Sequence, residues 1–109
     1  MSIIKVQNKK NPKISVLLCV YNNEKTLQES IKSILHQSFS DFELILCDDG
    51  STDNSFKIIC DYARTDERIV VLQNKSNKGL SYSLNKCIEK ARGFYCARMD
   101  GDDLCHENR

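Results

Sequence analysis

Residues 42–53, Phe-Glu-Leu-Ile-Leu-Cys-Asp-Asp-Gly-Ser-Thr-Asp, decide the fold. The run Phe42–Cys47 is apolar through most of its length, as a strand covered on both faces should be. It breaks off into Asp48-Asp49-Gly50-Ser51, residue types that turn a chain and cap a helix. Three other runs share its character: Ile14–Val20, Ile69–Leu72 and Phe94–Met99. The four starts, at 14, 42, 69 and 94, are separated by 28, 27 and 25 residues.

Between these runs the apolar period lengthens to that of a helix. Leu27, Ile31, Ile34 and Leu35 form one stripe, and Phe56, Ile59, Cys60 and Ala63 a second. Leu80, Leu84, Cys87, Ile88 and Ala91 form a third. The pattern reads β-α-β-α-β-α-β, an α/β chain with a largely parallel sheet and right-handed crossovers. Asn23 is expected to cap the first helix, and Ser51 the second with Asp53 in its first turn. Gly93 is expected to supply a left-handed residue after the third. Strands should end near Tyr21, Asp48, Asn74 and Asp100, with strand one flanked by strands two and four.

Composition removes several classes of function. The 109 residues are 40% hydrophobic and 28% charged, which suits one soluble domain rather than a disordered chain. No apolar run approaches the roughly 18–20 residues of a membrane helix. Met1–Pro12 lacks the apolar stretch of a secretory signal, and residues 1–13 read as a flexible lead. A net charge of +1 gives no footprint for nucleic acid or an anionic membrane. The six cysteines (Cys19, Cys47, Cys60, Cys87, Cys96, Cys105) include no CxxC pair, and Cys105 beside His106 has little support as a metal site. They read as reduced, mostly buried thiols, which implies a cytoplasmic protein. His36 falls where it can serve the first helix's C-terminal dipole.

In an open α/β sheet ligands bind beyond the strand carboxyl ends. Those ends carry Tyr21-Asn22-Asn23-Glu24, Asp48–Asp53, Gln73–Gly79 and Asp100-Gly101-Asp102-Asp103. Each acidic group alone has a plain reading as turn, cap or solvated loop. Two on one rim repel unless a cation joins them, and Mg²⁺ or Mn²⁺ suits hard carboxylate oxygens. The glycine-rich dinucleotide fingerprint, the P-loop and the calcium loop are all absent.

The ordered set of landmarks resembles the donor-binding half of inverting family-2 glycosyltransferases with the GT-A fold. It runs from Ile14-Ser15-Val16 and Tyr21-Asn22-Asn23-Glu24 through Ser33–Phe39 and Phe42–Ile45 to Asp48–Asp53. Asn77-Lys78-Gly79-Leu80, Arg92–Tyr95 and Asp100–Asp103 complete it, so that residues 14–109 are covered. The resemblance implies a Rossmann-like open parallel sheet with alternating helices. It implies that Tyr21 lies against the nucleobase and that Asp49 accepts the base's imide N–H, with Asn23 in the same binding group. Asp100 would hold the ribose, and Asp100, Asp102 and Asp103 the metal that bridges the phosphates. A nucleoside-diphosphate sugar is implied as donor, a UDP-sugar before GDP or dTDP, with a glycan or lipid-linked hydroxyl as acceptor in polysaccharide synthesis.

The family's general base lies downstream of Asp103, and no residue here takes its part, so the chain is expected to be a fragment that transfers no sugar. Membrane association, at the inner face, would need regions beyond Arg109. Cys87 stands at a position where the family commonly has a small residue, which reads as packing. Two rivals are an inactive nucleotide- or metal-binding domain of the same fold and a receiver-type regulatory module. The receiver reading requires acidic residues where Tyr21-Asn22 and Gln73-Asn74 stand.

Overall fold

A computed structural model describes residues 11–100. Within it β1 (Ile14–Val20), α1 (Glu24–Leu35), β2 (Phe42–Asp48), α2 (Ser55–Ala63), β3 (Ile69–Gln73), α3 (Leu80–Lys90) and β4 (Tyr95–Asp100) alternate. The sheet order is β3-β2-β1-β4, and every pairing is parallel. Strand one is therefore flanked by strands two and four, as the sequence implies. Residues 1–10 of the lead, together with Asp102, Asp103, Cys105 and His106, lie outside the described residues. Lys13, assigned to the lead, already joins the sheet: its carbonyl accepts the Tyr95 N–H at 3.1 Å.

The register shows why the central strands are apolar. Strand alternation sends Val16, Leu18, Val20, Leu44 and Leu46 to one face, where Leu27, Ile31 and Ile34 of α1 and Ile59 of α2 close the main core. Leu17, Ile45 and Cys47 point to the other face, under Cys87 of α3. The first two crossovers run in one direction across the sheet and the third runs back, so right-handed connections place α3 opposite α1 and α2.

Several local expectations are corrected. On α2 the inward residues are Ser55 and Ile59, with Ile58, Tyr62 and Ala63 against the core. Phe56 and Cys60 are only partly buried. The face rotates because the Ser55 hydroxyl turns in to accept the Asn23 N–H at 2.9 Å. On α3, Ser83 and Cys87 are buried, whereas Leu80 and Ile88 are half exposed. Small side chains bring this helix close to the sheet, and its larger apolar residues are left at the margin. β4 begins one residue late, with Phe94 90% exposed. Cys96 is exposed, so the thiols are not uniformly buried; the described cysteines are all unpaired.

Gly93 does not adopt the left-handed conformation. Its role is close approach: a Cβ there would lie 2.6 Å from the Ser15 nitrogen and 2.7 Å from the Ile14 carbonyl carbon. The crowding is imposed by a buried polar clasp. Ser15 Oγ donates to Glu43 Oε2 at 2.6 Å, the Arg92 N–H to the same oxygen at 2.7 Å, and the Gly93 N–H to Ser15 Oγ at 2.8 Å. Glu43 is 2% exposed, and Arg92 Nε also reaches its Oε1 at 3.2 Å. The clasp ties the α3–β4 connection to β1 and β2 at the sheet end remote from the acidic rim. Gly93→Ala should therefore lower unfolding free energy by about 1–3 kcal/mol, the usual penalty of overpacking. Urea denaturation measures it, and an unchanged midpoint would refute the close-approach role.

Candidate nucleotide-binding cleft

The carboxyl ends of β1 and β2 are stitched together by side chains of the loops that follow them. Asn22 holds a left-handed φ of 52°, a conformation that Asn tolerates better than most residues. Its Oδ1 accepts the Thr52 N–H at 2.8 Å and the Asp53 N–H at 3.3 Å, while its own N–H donates to Ser51 Oγ at 2.9 Å. Asn54 N–H donates to Glu24 Oε1 at 2.8 Å, and Asp53 Oδ1 accepts the Ser55 N–H at 2.9 Å. The expected caps are thus reassigned. Asn23 occupies the N-cap position of α1 without capping it; its Oδ1 accepts the Tyr21 N–H at 3.0 Å. Ser51 lies ahead of α2, whose N-cap position is Asn54, and serves Asn22 instead.

Asp49 organises the opposite wall. It follows β2, its N–H donates to the Val20 carbonyl at 2.7 Å, and it is only 4% exposed. Its Oδ1 accepts Asn74 Nδ2 at 2.9 Å and the Lys78 N–H at 2.7 Å. Its Oδ2 accepts Asn77 Nδ2 at 3.1 Å and the Gly79 N–H at 3.0 Å. Asn74, itself buried, passes the connection to α3 by donating to Ser83 Oγ at 2.9 Å and accepting Lys86 Nζ at 3.0 Å. Burial alone pushes the Asp49 carboxyl up; the Lys78 N–H, the Asn74 amide, the Gly79 N–H and Ser83 outweigh it and hold the group below its usual range. Gly50 completes the fit. At φ +75° it lets the turn pass the 74–79 loop so closely that a Cβ would come within 2.5 Å of the Ser76 carbonyl carbon.

Asp48 faces the other way by strand alternation and is fully buried. Its Oδ2 accepts the Ser51 N–H at 3.1 Å, and its Oδ1 has no hydrogen-bond partner among the described residues.

Between the end of β1 and the start of α3 lies a cleft of about 240 Å³, lined by Tyr21, Asp49, Asn77, Gly79, Leu80 and Cys19, among others. Tyr21 is 45% exposed, so a planar ligand can reach its ring. The structure brings Tyr21 and Asp49 to one cleft, but not Asn23, which lines a separate polar hollow with Glu24, Thr26 and Asp53. Asp100 ends β4 in register with Cys19, whose other partner is Cys47 of β2. The end of β2, with Asp48 and Asp49, and the end of β4, at Asp100, thus flank β1 at one sheet end. The first two crossovers step to one side of β1 and β4 returns on the other, which makes the β1/β4 boundary a topological switch point. Another cleft, about 150 Å³ and lined by Ile14, Val16, Ile34 and Met99 among others, holds none of the candidate residues.

Asn74, Asn77 and Gly79 carry the cleft wall, although sequence reasoning gave them no role. Asn77 and Gly79 belong to the Asn77–Leu80 landmark, and Asn74 to the strand end Gln73–Gly79, where position alone does not reveal its bond to Asp49. Three thiols lie beneath the same wall. Cys87 packs with Cys19 and Cys47 on one face of the sheet; its nearness lowers the Cys19 thiol and brings Cys47 to about 7. The same neighbours and burial push Cys87 itself up.

The described residues form an open parallel α/β sheet with a cleft beside its switch point. Residues 15–109 match the profile of Glycosyl transferase family 2, and the chain belongs to that family. It is 54% identical over 99 residues to EpsE of Bacillus subtilis (strain 168), whose own assignment as a glycosyltransferase is provisional. That match covers 90% of this chain and 36% of EpsE. Residues 1–349 of S. aureus TarS, crystallised with UDP-GlcNAc, superpose with a TM-score of 0.81 at 31% identity, over 87% of this chain and 28% of that one. A mannosyltransferase from Pyrobaculum calidifontis, in complex with GDP-Man and Mn²⁺, shares the fold at a TM-score of 0.80 and 22% identity, over 87% of this chain and 29% of that one. The chain thus spans about a third of EpsE and less of these solved structures. The fold is that of the GT-A glycosyltransferases.

Asp49→Asn turns an amide NH₂ toward two of the four donors, and each donor left without an acceptor costs about 1–3 kcal/mol. Because the folded carboxyl titrates below the unfolded value of about 3.9, its contribution is present at neutral pH and is lost as pH falls through the folded value. The stability gap between wild type and variant, from denaturation at pH 7 and at pH 3, should therefore shrink in acid. A gap independent of pH would contradict the charge-based account.

Proposed function

We propose that this chain is the donor-binding region of a glycosyltransferase that moves a sugar from a nucleoside diphosphate to an acceptor hydroxyl, with inversion, in glycan or polysaccharide synthesis. The carrying observation is the cleft that joins Tyr21 and Asp49 at the sheet end where β4 delivers Asp100. A UDP-sugar is the favoured donor, and TarS, crystallised with UDP-GlcNAc, is the solved relative that supports it. The Tyr21 ring offers the base a stacking face. Asp49 has its acceptor positions filled, so a base imide must displace one donor; the Asn77 amide, on a side chain, is the one that can swing away.

Asp100, Asp102 and Asp103 would hold the divalent cation. Among the described residues no group of three His, Cys, Asp or Glu side chains is placed to do so, and Asp49 is already neutralised by N–H donors. The carboxylates that begin at Asp100 supply the hard oxygen donors that Mg²⁺ or Mn²⁺ takes. Bound there, the cation would offset the charge that develops on the departing diphosphate. The acceptor is a glycan or a lipid-linked hydroxyl, and the reaction is placed in the cytoplasm, at or near the inner membrane face. On this reading the 109 residues bind nucleotide but transfer no sugar, and none of the described residues is assigned to deprotonate an acceptor.

Calorimetric titration of UDP in Mn²⁺, in Mg²⁺ and in chelator tests the reading. Affinity should fall at least about tenfold in chelator, equivalent to about 1.4 kcal/mol. Asp102→Asn should lose the metal-dependent part, and Tyr21→Ala should weaken binding by a similar factor under all three conditions. Equal affinity in chelator and in Mn²⁺ would falsify the metal-bridge assignment, and sugar transfer by these 109 residues would refute their inactivity.

A further inference from the structure

We infer that Cys19, Cys47 and Cys87 form a peroxide-sensitive thiol site beneath the donor cleft, in which Cys19 is oxidised and then closes a disulfide with Cys47. Its coupling to nucleotide rests on the donor-cleft reading above.

Geometry carries the assignment. Cys19 and Cys47 are direct partners in the β1–β2 register. Neighbouring strands run about 4.8 Å apart, inside the Cα window a disulfide needs. Both side chains leave the same face of the sheet, where Cys47 and Cys87 are buried and Cys19 packs against them. Cys87, on α3, is buried in the same small cluster on that face. Cys19 alone of the three lines the cleft. Access and proximity therefore coincide at one residue. Cys60, on α2, and Cys96, near the start of β4, belong to neither the cleft nor the cluster.

The chemistry follows from that arrangement. The Cys19 sulfur attacks the outer oxygen of a hydroperoxide; the O–O bond breaks, an alcohol or water departs, and Cys19 becomes a sulfenic acid. The Cys47 sulfur then attacks the Cys19 sulfur, the S–O bond breaks, and water leaves through the cleft. In sum two thiols and one hydroperoxide yield a disulfide, an alcohol (or water) and water. The lowered thiol of Cys47 supports its role as attacking group, and Cys87, on α3 and not a register partner of Cys19, stays reduced. The three sulfurs are not a metal site, since no described cysteine cluster has the arrangement to hold one.

The test treats the fully reduced 109-residue chain with one equivalent of hydrogen peroxide, blocks remaining thiols with N-ethylmaleimide after an acid quench, and maps the peptides by mass. The expected product is a Cys19–Cys47 cross-link lighter by two hydrogens, with Cys87 alkylated. Cys47→Ala should instead leave a Cys19 sulfenic acid that dimedone captures, which keeps the idea testable if Cys19→Ser folds poorly. A Cys19–Cys87 cross-link, or oxidant consumed at Cys60 or Cys96 with Cys19 and Cys47 both alkylated, would overturn the assignment. UDP with Mn²⁺ should slow Cys19 oxidation severalfold. If calorimetry shows UDP bound while that rate is unchanged, Cys19 does not floor the nucleotide cleft. If UDP does not bind and the cross-link still forms, the thiol site stands and the donor reading fails.

Discussion

A carboxylate buried beside a sheet is costly unless its oxygens find donors, and the Asp49 carboxylate draws four of them from its surroundings. Its donors come from a segment some 25–30 residues later in the chain, so satisfying it pins the Asn74–Gly79 loop over the end of β2. Gly50 must then be a glycine, because the pinned loop runs where a side chain would stand. Asn74 carries the constraint onward to Ser83 and Lys86, and thereby sets where α3 begins relative to the cleft. One buried charge thus orders the loop, the turn and the helix that make one wall of the cleft.

The opposite wall follows from topology. β1 is the strand at which the direction of winding reverses, so the loops on either side of it separate and leave an opening. The loop after β1 would fray there but for Asn22, whose amide holds the 51–53 turn. At the far end of the sheet, Glu43 plays the part that Asp49 plays at the rim, with Ser15 and Arg92 as donors. Two buried acids on the same central strand or just beyond it therefore fasten both ends of the domain through bonds that span 25–49 residues of sequence.

That sequence separation explains what was legible and what was not. Strand runs, helix periods and the position of acidic groups at strand ends are local properties, and the strands, their parallel order and the nearness of Tyr21 to Asp49 were readable from them and from the family resemblance. Asn23, Ser51 and Gly93 were assigned roles from the nearest helix, and each is used elsewhere. Asn23 folds back on Tyr21, Ser51 holds Asn22, and Gly93 clears Ser15. A side chain's partner across a sheet leaves no periodic trace. The stripes on α2 and α3 are right only in part for the same reason: Ile59, Leu84, Cys87 and Ala91 do face the core, but Phe56, Leu80 and Ile88 do not, and the surfaces these helices meet also select Ser55 and Ser83. The Glu43 clasp was invisible because one acid at the head of an apolar strand resembles an edge residue.

The same physics divides labour between the two acidic stretches. Like charges on one rim would repel, yet the charge of Asp49 is offset by four N–H groups within 3.1 Å, and Asp48 is turned to the other face of the sheet. On the proposed reading, a cation at this sheet end would take its partners from the stretch that begins at Asp100, on the β4 side of β1. The β2 side, with its stacking ring and its amide-rich wall, is suited to the flat, neutral, hydrogen-bonding end of a nucleotide. On that reading base and diphosphate would straddle β1, with the base on the side where folding has already neutralised the Asp49 carboxylate.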